Sequence, residues 1–187
     1  TDCISSLANN FNERPKSLPA PVVKLGTINF TGEISGFFDN LVAFGKLSSS
    51  IGSIQTDLIF GSNKDKNIAA YLRGRIASSN LRLHELFGEN NPFGARFDIN
   101  IDTRRPVGGN FSGNIQAQVK EFDYKAYKYK DINLSGNFKK SSFDGTIHVN
   151  DPNGDLYAQG IFQHQGQNSL FNFTARLDHF RPDRLNL

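Results

Sequence analysis

The sequence has no methionine, no tryptophan and a single cysteine. One cysteine, Cys3, excludes an intramolecular disulfide framework and any multi-cysteine metal site. The lack of methionine even at position 1 leads us to expect a processed form or an excised piece of a longer protein. No apolar run approaches the ~20 residues that cross a bilayer as a helix, so this piece reads as soluble. An excess of one charge is missing too: a net +3 is too mild for the concentrated basic stripe that nucleic-acid binding leaves.

Signatures of catalysis are equally scarce. His84, His148, His164 and His179 are far apart and lack the spacing of a zinc site. The stretch Asp151-Pro152-Asn153-Gly154-Asp155 lacks the acidic spacing and final Glu of a calcium loop and reads as a tight hairpin turn. There is no nucleophile elbow, phosphate loop or dinucleotide fingerprint. We therefore expect no enzyme, no cofactor and no metal.

What is present is a period of two. Of 187 residues 37% are hydrophobic and 21% charged, enough apolar material for a folded body and too little charge for disorder. Residues 1–21 are polar and punctuated by Pro15, Pro19 and Pro21, and read as a linker. Residues 22–187 read as a single β-rich domain. Ile28, Phe30, Gly32 and Ile34 alternate with polar neighbours, as do Phe97, Ile99 and Ile101, then Phe111, Gly113, Ile115, Ala117 and Val119, then Ile132, Leu134, Gly136 and Phe138. Three more segments follow, at 143–149, 156–162 and 171–177. Each predicts a strand with one apolar and one wet face. Gly52-Ser53, 139–142, 151–154 and 165–168 carry turn chemistry and predict an antiparallel meander. Helix is confined to 81–87 and 180–187. The fold class expected is all-β: a strongly curved open antiparallel sheet, a half-pipe or taco-like groove with an apolar concave face, or alternatively a closed sandwich or barrel.

Seventeen glycines stand beside seventeen phenylalanines. Gly32, Gly74, Gly113, Gly136, Gly145 and Gly160 recur inside strands in an apolar-x-Gly-x-apolar unit, the last as Ala158-Gln159-Gly160-Ile161-Phe162. Two readings stand side by side. Glycine lets a curved sheet close up without side-chain collision, or a row of missing side chains between Phe and Ile leaves a greasy channel. A looser repeat links Tyr71–Leu83 with Phe173–Pro182, each a strand running into an Arg-containing turn. Lys120, Lys125, Lys128, Lys130, Lys139 and Lys140 keep the sheet soluble, protect an edge from pairing, or attract anionic headgroups.

The run Thr27–Gly32 leading into Gly36–Gly45 and Gly52–Leu58, followed by Phe122–Gly136, Phe143-Asp144-Gly145 and Asp151-Pro152-Asn153, resembles the TamB/AsmA-like translocation and assembly module family over about residues 22–187. The resemblance implies a segment of a periplasmic, inner-membrane-anchored protein that shields lipid acyl chains in an apolar groove on the way to the outer membrane. In some members it also implies help in assembling or secreting outer-membrane β-barrel proteins with a barrel partner, for which β-augmentation at open sheet edges is the physical route. The residues expected to line the groove are Ile28, Phe30, Ile34, Phe97, Ile99, Ile101, Phe111, Ile115, Leu134, Phe138, Phe143 and Ile147, with the six glycines on the same face. The partners expected are phospholipid acyl chains and no nucleic acid.

Overall fold

The computed structural model describes residues 26–37, 39–82, 84–85, 94–165 and 168–185. The expected linker at 1–21, residues 83, 86 and 87 of the helical candidate at 81–87, and the tip of the 165–168 turn lie outside the described residues. Ten strands follow one another: β1 (Asn29–Phe37), β2 (Asn40–Ser49), β3 (Gly52–Asn63), β4 (Ile68–Leu81), β5 (Gly94–Pro106), β6 (Ser112–Tyr124), β7 (Tyr127–Lys139), β8 (Ser142–Asp151), β9 (Gly154–Gln165) and β10 (Asn168–Asp178). One helical turn, α1 (Pro182–Leu185), ends the described chain.

Spatial order is chain order. Each strand pairs antiparallel with its neighbour, and β1 and β10 form the two edges, so the sheet is open and not a barrel. Every substantial contact between strands joins consecutive strands, and among the described residues no second layer packs on either face. At ~4.8 Å between strands and ~3.3 Å per residue the sheet measures roughly 40 Å in each direction. Register shifts between β3 and β4, β4 and β5, and β5 and β6 are the bulges that bend such a sheet.

Turn chemistry explains the meander. Tyr124 pairs with Tyr127, leaving Lys125 and Ala126 as a two-residue loop with φ of 47° and 62°. Positive φ at both central residues is the type I′ geometry whose twist suits a hairpin. The β8–β9 turn is held by Asp151, whose carboxylate accepts hydrogen bonds from the backbone N–H of Asn153 at 2.9 Å and of Lys130 at 3.0 Å, and from the Tyr127 hydroxyl. The turn expected at Gly52-Ser53 falls instead at Ser50–Ile51, and Gly52 opens β3.

The antiparallel order places the β2–β3, β6–β7 and β8–β9 turns at one end of the sheet, called the lower end here. Full burial gathers there. The fully buried apolar side chains among the described residues are Ile51, Leu81 and Leu185, at 1%, 6% and 4% exposure. Among the described residues the rest of the apolar face lies outside this small core.

Candidate functional site: the apolar face of the sheet

Register fixes which side chains share the face, because paired residues point the same way and alternate residues point oppositely. Phe30, Ile34, Phe97, Ile99, Ile101, Ile115, Leu134, Phe138, Phe143 and Ile147 all fall on one face. Ile28 and Phe111 lie just before β1 and β6, each more than a third exposed, and the Arg105 guanidinium sits 5.4 Å above the Phe111 ring. The sheet adds Leu41, Ala43 and Leu47 of β2 and Leu58 and Phe60 of β3, and it brings in Leu72 and Ile76 of β4, the apolar flanks of the Gly74 unit, which were not among the expected lining residues. Alternation in β2 and β3 was masked by Val42 and Ile59, apolar residues that point to the wet face.

The glycines are ordered by the same register. One row across the sheet reads Ile34, Ala43, Leu58, Gly74, Ile101, Ile115, Gly136, Gly145, Gly160 and Phe173. The next row toward the upper end reads Gly36, Leu41, Phe60, Leu72, Thr103, Gly113, Phe138, Phe143, Phe162 and Phe171. A glycine-rich row therefore lies beside a phenylalanine-rich one. A Cβ placed on Gly136 or Gly145 would stand 2.6 or 2.8 Å from Cζ of Phe143, so this ring lies down over both glycines and fills the space they leave. The Asp144 and Ser135 carbonyl oxygens of the paired strands stand closer still, at 2.5 and 2.3 Å, so at these two positions close packing, not an empty channel, accounts for glycine. Gly74 has a second reason: its φ is +131°, and a Cβ there would sit 2.0 Å from the Asp57 carbonyl oxygen. Gly32 occupies the row on the other side, opposite Gly45.

Exposure on the apolar face rises toward the edges. Central positions such as Ile99 and Leu134 are half-buried, whereas Ile34 on β1 and Phe171 and Phe173 on β10 are each more than half exposed. Phe162 and Phe171 pack at 4.9 Å between ring centroids.

The lower end of the face is occupied by the chain itself. A Cβ on Gly154 would meet Phe180 at 3.1 Å and Leu185 at 3.6 Å, which places both side chains over the apolar side of β9. The Tyr129 hydroxyl donates to the Leu185 carbonyl at 2.8 Å, and the Arg181 N–H donates to the Asn153 carbonyl at 2.8 Å. Burial here raises the Tyr127 and Tyr129 phenols above their ordinary value, assisted at Tyr127 by the hydrogen bond to Asp151 and at Tyr129 by that residue's charge. At the end of β4 the Arg82 N–H donates to the Ile51 carbonyl at 2.8 Å.

The opposite face is wet and carries the ion pairs. Arg73 meets Asp102 at 2.9 Å, and Arg75 reaches Asp98 with Nε at 2.8 Å, a contact that lowers the Asp98 carboxyl pKa and raises that of the guanidinium. Hollows of about 910 Å³ and 560 Å³ open mainly among polar side chains of this face, the larger beside Tyr71, Arg73, Asp102, Asn114 and Asn137, the smaller beside Asn100, Gln116, Asn133 and Thr146. His148 lies near the smaller one, with Nε2 2.9 Å from Asp155 Oδ2. Lys120, Lys128, Lys130 and Lys139 sit on β6 and β7, mid-sheet, so the edge-protection reading of the lysines is corrected: these strands have partners on both sides.

No family model, curated protein or solved structure matches this chain. Among the described residues no cluster of three or more His, Cys, Asp or Glu could hold a metal ion, and no helix is long and apolar enough to cross a membrane.

Proposed function

We propose that the apolar face is a carrier surface for lipid acyl chains, and that the chain is a periplasmic segment of an inner-membrane-anchored protein of the TamB/AsmA-like kind, serving phospholipid transport toward the outer membrane. The observation that carries this reading is a ten-strand sheet whose apolar residues share one face, with no protein layer over that face among the described residues. An acyl chain laid along it is shielded from water at ~0.8 kcal/mol per buried methylene, so about ten methylenes contribute about 8 kcal/mol without catalysis. The wet face, with its ion pairs and amides, keeps the other side in water.

Photocrosslinking side chains placed at Ile99 or Ile115 should capture phospholipid in cells, and those at Asn100 or Gln116, one residue away on the wet face, should not. Native mass spectrometry of the purified chain should find bound phospholipid. Capture from the wet-face positions alone would remove the proposal.

A further inference from the structure

The two edge strands match each other. Because the sheet has an even number of alternating strands, β1 and β10 run in opposite directions. A second copy set beside the first in the same orientation therefore brings β10 of one against β1 of the other antiparallel, with both apolar faces on the same side. Neither edge strand contains a lysine or a proline, the residues that usually blunt an exposed edge. Among the described residues nothing pairs with the outer side of either.

Carrying the rows of the sheet across this junction gives a level-by-level correspondence. On the apolar face Phe30 meets Leu177, Ile34 meets Phe173 and Gly36 meets Phe171, the last a ring beside a glycine as in the Phe143 packing. The wet face is more telling. Phe37 and Leu170, 81% and 56% exposed, are apolar side chains on the polar side, and in this register they stand directly opposite one another. Arg176, which holds Asp178 at 3.0 Å within β10, comes diagonally beside Glu33 of the next copy, the relation Arg75 has to Asp98 inside the sheet.

We propose that β10 of one copy of this chain docks on β1 of a second copy, in the register that pairs Phe37 with Leu170 and Ile34 with Phe173. The contact is head-to-tail, so it leaves a free edge at each end and extends to further copies unless curvature closes the ring.

The test is sedimentation of the purified chain over a range of concentrations. Mass should rise with concentration in steps of one chain. Phe37→Asp or Leu170→Asp should each move the association midpoint about tenfold or more upward, since a buried unpaired charge is costly. Both positions are exposed edge sites, and an unchanged far-UV circular dichroism spectrum confirms folding. In a Cys3→Ser background, mixing Ser35→Cys with Asn172→Cys under oxidation should give an intermolecular disulfide, because these residues are directly opposed. Ser35→Cys with Thr174→Cys, a diagonal of ~7–8 Å, should give far less. A chain that stays monomeric at every concentration overturns the proposal. So does association indifferent to Phe37→Asp and Leu170→Asp, which indicates stacking of apolar faces, and so does crosslinking of Ser35→Cys with itself, which indicates β1 pairing with β1.

Discussion

Replacing Gly145 with alanine should destabilise the sheet even though alanine is the better strand former. The added Cβ would stand 2.3 Å from the Ser135 carbonyl oxygen, 2.7 Å from Gly136 Cα and 2.8 Å from Phe143 Cζ. The first two atoms are backbone of the paired strand β7, so restoring ordinary contact means opening a ~4.8 Å strand spacing by about 1 Å. Overpacking of this kind costs about 1–3 kcal/mol. The reduced chain entropy of alanine offsets about 0.5–1 kcal/mol of it, which leaves a net loss of about 0.5–2 kcal/mol. For a chain of this size that is a fall of about 1–8 °C in melting temperature. Urea unfolding read by far-UV circular dichroism measures it, with tyrosine emission as a second probe because no tryptophan obscures it. Phe143→Leu in the same background separates backbone from ring. The closest contact is to a carbonyl, so the double variant should keep most of the alanine penalty. If Gly145→Ala is neutral or stabilising, or if Phe143→Leu restores the parent stability, the backbone account of this glycine is wrong.

Other expectations follow from the turns and the lower corner. Lys125→Asn with Ala126→Gly should raise stability by about 0.5–1 kcal/mol, since the type I′ loop holds two non-glycine residues at positive φ; thermal melting checks it. Asp151→Ala should cost about 2–4 kcal/mol in urea unfolding, because it strands the Lys130 and Asn153 N–H groups and the Tyr127 hydroxyl around a site that is 2% exposed. The raised phenols of Tyr127 and Tyr129 favour the protonated form in the folded sheet, so their contribution is complete below the ordinary pKa of 10.0 and is lost as pH climbs through the raised folded values. Stability measured above that pH should fall more steeply for the parent chain than for Tyr127→Phe.

How much of this was legible in the sequence depended on range. Alternation around Phe97–Ile101 or Ile132–Phe138 needs only a strand and its neighbours in sequence, and it placed ten of the twelve expected lining residues on one face. The glycine row was visible as a repeated unit, but its meaning was not. That Gly136 and Gly145 lie under one ring depends on the pairing of Gly136 with Gly145 and Phe138 with Phe143, a register that alternation alone leaves open by steps of two. β2 and β3 were obscured where Val42 and Ile59 put apolar residues on the wet side. The lower corner stayed hidden for a different reason: Tyr129, Gly154 and Leu185 are brought together by the path of the chain after β10, not by any local pattern.

A sheet in which each strand touches only its neighbours in sequence behaves in folding as a line, not a knot. Every strand pairing closes a hairpin between consecutive strands, so pairing can begin at any turn and spread outward by zipping. The same property makes stability uneven: β5 and β6 are braced on both sides by several strands, while β1 and β10 can peel away at the cost of one ladder each. Amide exchange should therefore grade from slow in the middle of the sheet to fast at its margins, and a pull on the chain should release hairpins one after another instead of breaking the whole at once.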